Sequence, residues 1–177
     1  MNGILGNMPP VVKNLLLLNV IMFIVSWLGQ AQGIPMIQLL GGYVFNSPFF
    51  EPYQLVTHFF MHAGLFHIFF NMFALVIFGS ALEQVWGPKR FFIFYVATAV
   101  GAFLLHQIIG YFEVKSIEEQ LYAAGYNDLY KLQDQISALR NGQISSFTPP
   151  VQGTNHLIEQ YMAGISIPVV GASGAVY

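Results

Sequence analysis

Two groups of residues in this sequence have the types and spacing to carry a reaction. Gly171-Ala172-Ser173-Gly174 reads Gly-x-Ser-Gly and follows Pro168 at the start of an apolar run. The small neighbours leave the serine open to close approach by another chain or by water. Far earlier come His62, His67 and Asn71. His67 and Asn71 have the i, i+4 spacing that shares a helix face, and His62 precedes that helix by a short turn containing Gly64. These types permit acyl transfer, which needs a nucleophile, a base and donors aimed at a tetrahedral oxyanion. His62 and Asn71 can donate to such an oxyanion. So can the backbone N–H of Ser173 if a helix begins there, because the first N–H groups of a helix lack internal partners. Both groups also have a structural reading, since small residues pack membrane helices together and buried polar side chains act as interhelical hydrogen-bond glue.

Other chemistries find less support. The sequence has no cysteine, which removes disulfides, thiol catalysis and thiolate metal sites. It has no His-Glu-x-x-His, and Asp128 and Asp134 lie in a polar stretch that cannot form an intramembrane carboxylate pair. Neither a metal nor an organic cofactor is expected. Six basic against eight acidic residues leave no basic surface for nucleic acid, and no such partner is expected.

The elements that must position these residues are membrane helices. Only 8% of the 177 residues are charged and 55% are hydrophobic, in runs long enough to cross a bilayer. The expected fold is all-α, a polytopic transmembrane helix bundle. Val11 to about Leu28 predicts a first span, retained as an anchor and not cleaved as a signal peptide. Residues 30–61 are apolar yet irregular, with Pro35, Gly41-Gly42, Pro48 and Pro52, which suggests a segment lying in the interface. A second span is predicted from about Phe66 to Val85, ending at Trp86-Gly87-Pro88, and a third from Phe91 to Phe112. These three spans and the interfacial loop make a membrane domain, residues 1–112.

Residues 113–164 read as an extramembrane insert and linker, holding Glu113, Glu118, Glu119, Asp128, Asp134 and Glu159. Ser116-x-x-Glu119 has the form of a capping box, and Leu129, Leu132, Ile136 and Leu139 recur at helical spacing after Asn127, a candidate cap. Two short amphipathic helices parted at Gly125 are expected, stopped by Asn141-Gly142, with Ser145 to Thr154 as a linker. A fourth span begins near Ile165 and carries Ser173. Lys13 and Lys89-Arg90 place the N-terminus and the second-to-third connection on the cytoplasmic side, and the insert outside. On that topology Ser173, His67 and Asn71 share a leaflet and a depth.

Thr57 to Asn71, Thr-His-Phe-Phe-Met-His-Ala-Gly-Leu-Phe-His-Ile-Phe-Phe-Asn, resembles the second-span signature of the rhomboid intramembrane serine proteases. Gly171-Ala172-Ser173-Gly174 is similar to their nucleophile motif, and Gly79-Ser80-Ala81-Leu82-Glu83 with Gly87 and Arg90-Phe91 fits the end of that span. The resemblance covers most of 11–112 and 165–177. It implies a rhomboid-like bundle of six spans, of which this sequence holds about four. By resemblance Ser173 is the nucleophile, His62 and Asn71 support the oxyanion, His67 lines the site, and the partners are transmembrane protein substrates within membrane lipid. The oligomeric state is left open.

Three departures bear on this. Tyr53-Gln54 stands where many members have Trp-Arg, which touches the anchoring of the first loop. The insert before the fourth span is longer than in a minimal member, and could shield or shape the outer opening. The resemblance implies a histidine base on the last span, whereas His58, His62, His67, His106 and His156 all precede Ser173. His106 stands ~25 Å up the third helix from Lys89, an interfacial histidine or a distant candidate for the base. The sequence is therefore expected to be the N-terminal portion of a longer protease and inert as it stands. The alternative is a non-catalytic rhomboid-like membrane protein that binds transmembrane segments.

Overall fold

The structure is a computed structural model and describes residues 8–126, 128–141, 143 and 153–171. The described residues are largely helical, with one isolated backbone bridge and no strand. They fall into two compact units. The first comprises residues 8–42, 52–105 and 168–171, and the second the described residues of 43–51 and 106–167. The sequence reading groups 43–51 and 106–112 with the membrane domain; here they pack with the insert.

In the first unit, helix α1 (Pro10–Ala31) begins with a proline whose missing N–H and fixed φ suit the first helical position. The other N–H groups of that first turn are all accounted for. Lys13 N–H returns to the Pro9 carbonyl at 2.9 Å. Val11 and Val12 N–H donate to the two carboxyl oxygens of Glu83, at 3.0 and 2.8 Å. A side chain 72 residues away thus does what a local cap does elsewhere. Glu83 is buried, so Glu83→Ala leaves the buried Val12 amide without an acceptor, costing about 1–3 kcal/mol, and the part-buried Val11 amide to find another. We expect a lower unfolding midpoint in detergent for Glu83→Ala than for Glu83→Gln, which keeps one acceptor; equal midpoints would refute this role.

Short helices α2 (Met36–Leu40) and α3 (Gln54–Thr57) lie in the irregular loop, followed by a 3-10 turn at His58–Phe60. Thr57 Oγ1 donates to the Leu40 carbonyl at 2.6 Å, and buried Gln54 donates to the Leu39 carbonyl at 3.4 Å. These bonds tie α3 to α2. The second apolar stretch is α4 (Leu65–Ala74), one π turn (Leu75–Gly79) and α5 (Ser80–Trp86), an unbroken 22 residues. Gly79 allows close packing there: a methyl carbon on it would stand 3.1–3.2 Å from Leu75, Phe91 and Val12. Val12, Leu15, Leu75 and Phe91 form the core of this unit.

Helix α6 (Pro88–Ala123) runs 36 residues without interruption. This corrects the sequence expectation of a span ending at Phe112 followed by a capped helix: Ser116 is mid-helix, and no capping box forms. Between Gly110 and Gly125 the chain has no glycine or proline, so the helix continues where the composition turns polar. It stops at Gly125, φ +94°, where Tyr126 N–H reaches the Leu121 carbonyl and Gly125 N–H the Tyr122 carbonyl, a Schellman end.

The second unit is completed by α7 (Leu129–Arg140) and α8 (Asn155–Ser166). Asp128 caps α7 by accepting from Lys131 N–H at 3.0 Å; Asn127, the candidate cap, lies outside the described residues. Helix α8 follows the stretch expected as a linker, Ser145 to Thr154, and its last residues take in Ile165, the expected start of a fourth span. Its stripe Leu157, Ile158, Tyr161, Met162, Ile165 packs against Val114, Leu121, Leu129, Leu132 and Ile136. The Tyr161 hydroxyl accepts from Gln133 Nε2 at 2.7 Å and donates to Glu118 Oε1 at 3.3 Å. Burial first, with Glu118 and Tyr122 nearby, pushes this phenol up to about 12, so it remains a donor. Ile167 precedes Pro168, which disfavours further helix, and the chain continues extended.

Among the described residues three stretches are long and apolar enough to cross a membrane: Pro10–Ala31, Leu65–Trp86 and Pro88–Ala123. They expose large apolar side chains such as Trp27, Phe66, Phe70, Val85 and Phe112, which water would not tolerate in such density. Hydrocarbon does, and their backbone groups are satisfied within the helices.

Candidate active site

The approach to the serine motif is fixed by backbone pairing within the first unit. Gly42 and Val169 form an antiparallel bridge, with N–H to carbonyl distances of 2.9 and 2.8 Å. Two residues on, Gly171 N–H donates to the His58 carbonyl at 2.7 Å. Gly171 has φ +80°, a conformation that favours glycine. Space requires it too. A methyl carbon on Gly171 would stand 3.2 Å from His67 Cε1 and Nε2 and 3.3 Å from Asn71 Nδ2.

The groups facing Gly171 are hydrogen-bond donors. His67 Nδ1 accepts from Ala63 N–H at 3.3 Å, so the neutral ring carries its proton on Nε2, the atom nearest Gly171. Asn71 Nδ2 is buried and has no hydrogen-bond partner among the described residues. A buried donor without a protein partner is free to hold a group that arrives. α4 places both donors on one face, one helical turn apart.

His62 is placed differently. It lies ahead of α4, 3% exposed, with its ring centroid 5.2 Å from that of His67. Its Nδ1 stands 3.2 Å from the Phe60 carbonyl, so that nitrogen carries the proton and Nε2 is left as an acceptor in the neutral ring. Burial, then the neighbouring His67, lower its pKa to about 4, against the raising effect of the Phe60 bond. Its folded pKa is below the unfolded 6.5, so the unfolded chain takes up the proton first and stability falls as pH drops from 6.5 towards 4. We expect that fall in unfolding midpoint to be smaller in His62→Gln; an unchanged pH dependence would show that His62 does not contribute.

Of the sequence-predicted residues, the structure brings His67 and Asn71 together at Gly171 and sets His62 beside them with its ring proton turned to Phe60. Ser173 lies outside the described residues. Sequence reasoning missed His58, whose carbonyl receives Gly171 N–H and whose buried ring lies 4.1 Å from Phe103. A residue acting through its carbonyl leaves no side-chain signal. Beside the donors is a cavity of about 210 Å³ that Asn71, His62, Asn19, Tyr95 and Thr98 help to line. Among the described residues no cluster of acidic, histidine or cysteine side chains could hold a metal ion.

The apolar helices and the polar groups held between them define an integral membrane protein of the α-helical, multi-pass class. A family model described as the Rhomboid domain matches residues 50–125. The chain is similar to the RHOMBOID-like protein 6, mitochondrial, of Arabidopsis thaliana, 38% identical over 55 residues, 31% of this chain and 18% of the relative. It is similar to Rhomboid-like protein 15 of the same plant, 34% identical over 82 residues, 46% of this chain and 18% of the relative. RHOMBOID-like protein 1 of that plant is 36% identical over 58 residues, 33% of this chain and 15% of the relative. The chain thus matches less than a fifth of the length of each of these relatives. No solved structure matches it. Over the matched residues the chain is similar to proteins of the rhomboid family.

Proposed function

We propose that this chain supplies the nucleophile and the oxyanion donors of a rhomboid-type intramembrane serine endopeptidase, acting on peptide bonds in or near the transmembrane segments of protein substrates. The observation that carries this reading is the convergence on Gly171, two residues before Ser173, of His67 Nε2 and of Asn71 Nδ2, which has no partner among the described residues. In the proposed reaction Ser173 Oγ attacks the scissile carbonyl carbon and its proton passes to a base. The carbonyl oxygen takes up the negative charge and is held by Asn71 Nδ2–H and His67 Nε2–H. Collapse expels the amine, which receives the proton, and water then releases the acyl group by the same route. A histidine beyond Tyr177 is the proposed base. His62, neutral at pH 7 with Nδ1–H on Phe60, serves to shape the turn before α4.

The similarity to rhomboid proteins over residues 50–125 supports this reading, as does the donor geometry. The N-terminus and the connection at Lys89-Arg90 are assigned to the cytoplasmic side, with the insert outside, on the distribution of basic residues. The test is covalent labelling of the protein, expressed with its downstream sequence, by a fluorophosphonate serine probe. Labelling that vanishes in Ser173→Ala supports the assignment, and equal labelling of both ends it. No labelling of the parent, with retention of a transmembrane peptide, favours a binding protein instead.

A further inference from the structure

Loop 43–51 follows Gly42 in the chain and packs in the second unit with the helices of the insert. One side chain makes two bonds to its first residues. Gln107 on α6, 3% exposed, accepts from Phe45 N–H through Oε1 at 2.8 Å and donates from Nε2 to the Tyr43 carbonyl at 2.9 Å. A carbonyl and the N–H two residues on are what a neighbouring β-strand would pair, and here one carboxamide does so. One turn along α6, Gly110 admits the side chain between these two bonds: a methyl carbon on Gly110 would lie 2.6 Å from Val44 Cγ1. Val44 is thereby buried in the core that holds Leu121, Tyr161 and Ile165. Further on, Ser47 Oγ donates to the Ile165 carbonyl at 2.5 Å and accepts from Phe49 N–H at 3.1 Å. Helix α8, to which Ile165 belongs, ends at Ser166, shortly before Val169 in the chain.

We propose that Gln107 is a positioning residue: with Ser47 it clasps loop 43–51, and so fixes the chain entering Gly42. Gly42 bridges Val169, and from Val169 the chain proceeds through Gly171 to Ser173. The insert is on this account more than a solvated excursion, because its helices hold the loop from which that bridge is reached. The catalytic consequence rests on the peptidase reading above; the clasp itself does not.

The sequence has no cysteine, so one introduced at Val44 reports on the clasp without background. In Val44→Cys, reaction with a maleimide in detergent is expected to be slow. Adding Gln107→Met, similar in length but unable to make either bond, is expected to accelerate it ~tenfold or more. Unchanged protection overturns the proposal. Should Gln107→Met fail to accumulate in membranes, Ser47→Ala in the same background must raise the labelling rate, and its failure to do so overturns the proposal equally. On a cleavable substrate, Gln107→Met alone, in the protein expressed with its downstream sequence, is expected to lower kcat ~tenfold with KM within about twofold. Faster labelling with unchanged kcat overturns the positioning role. Faster labelling in a protein whose parent cleaves nothing upholds the clasp and removes the peptidase reading instead.

Discussion

Alanine at Ser173 is expected to lower the turnover of a transmembrane substrate by on the order of a millionfold, the loss seen when a serine hydrolase is deprived of its nucleophile. The measurement is the cleavage rate in detergent or liposomes of the protein carrying its downstream sequence. Binding of the uncleaved substrate should be retained, because the substitution removes one oxygen and leaves Gly171 docked on His58. A variant that cleaves within tenfold of the parent, a change of about 1.4 kcal/mol in barrier, would show that the hydroxyl does not react.

The second large effect is expected at Asn71. Its carboxamide nitrogen is buried and unpaired among the described residues, 3.3 Å from the position of a methyl carbon on Gly171. An oxyanion donor acts on charge that exists only in the transition state, so Asn71→Ala should reduce kcat by ~10²–10³-fold and leave KM nearly unchanged. His67→Ala is expected to behave alike, and the double variant to lose less than the product of the two, since both donors serve one oxygen. A rise in KM with kcat intact would instead make these residues substrate-binding groups. Asn71→Asp separates the readings further: it keeps the shape but loses a donor and sets an acceptor against the developing charge, so it should be no better than alanine.

The helical class and the three apolar stretches were legible because length and hydropathy alone decide them: Val11–Leu28 falls inside α1, and Phe66–Val85 inside α4 to α5. The ends were less so. α6 passes through Phe112 and Ser116 because helix propensity does not register where lipid gives way to water. The stripe Leu157, Ile158, Tyr161, Ile165 has a clear helical period, but the stronger apolar run that follows obscures it. At the candidate site, residue types were legible but ring orientation was not. Whether His62 or His67 turns a donor towards Gly171 depends on the Phe60 carbonyl and the Ala63 N–H, and backbone partners of that kind leave no mark in a sequence.

The bonds from Glu83 to Val11 and Val12 also bear on biogenesis. When the first hydrophobic segment leaves the ribosome, the carboxyl group that will close its leading turn has yet to be synthesised. Until residue 83 emerges, those amides must be served by water or lipid headgroups. The first segment can therefore thread into the bilayer early, but its leading turn is closed only once the second has followed.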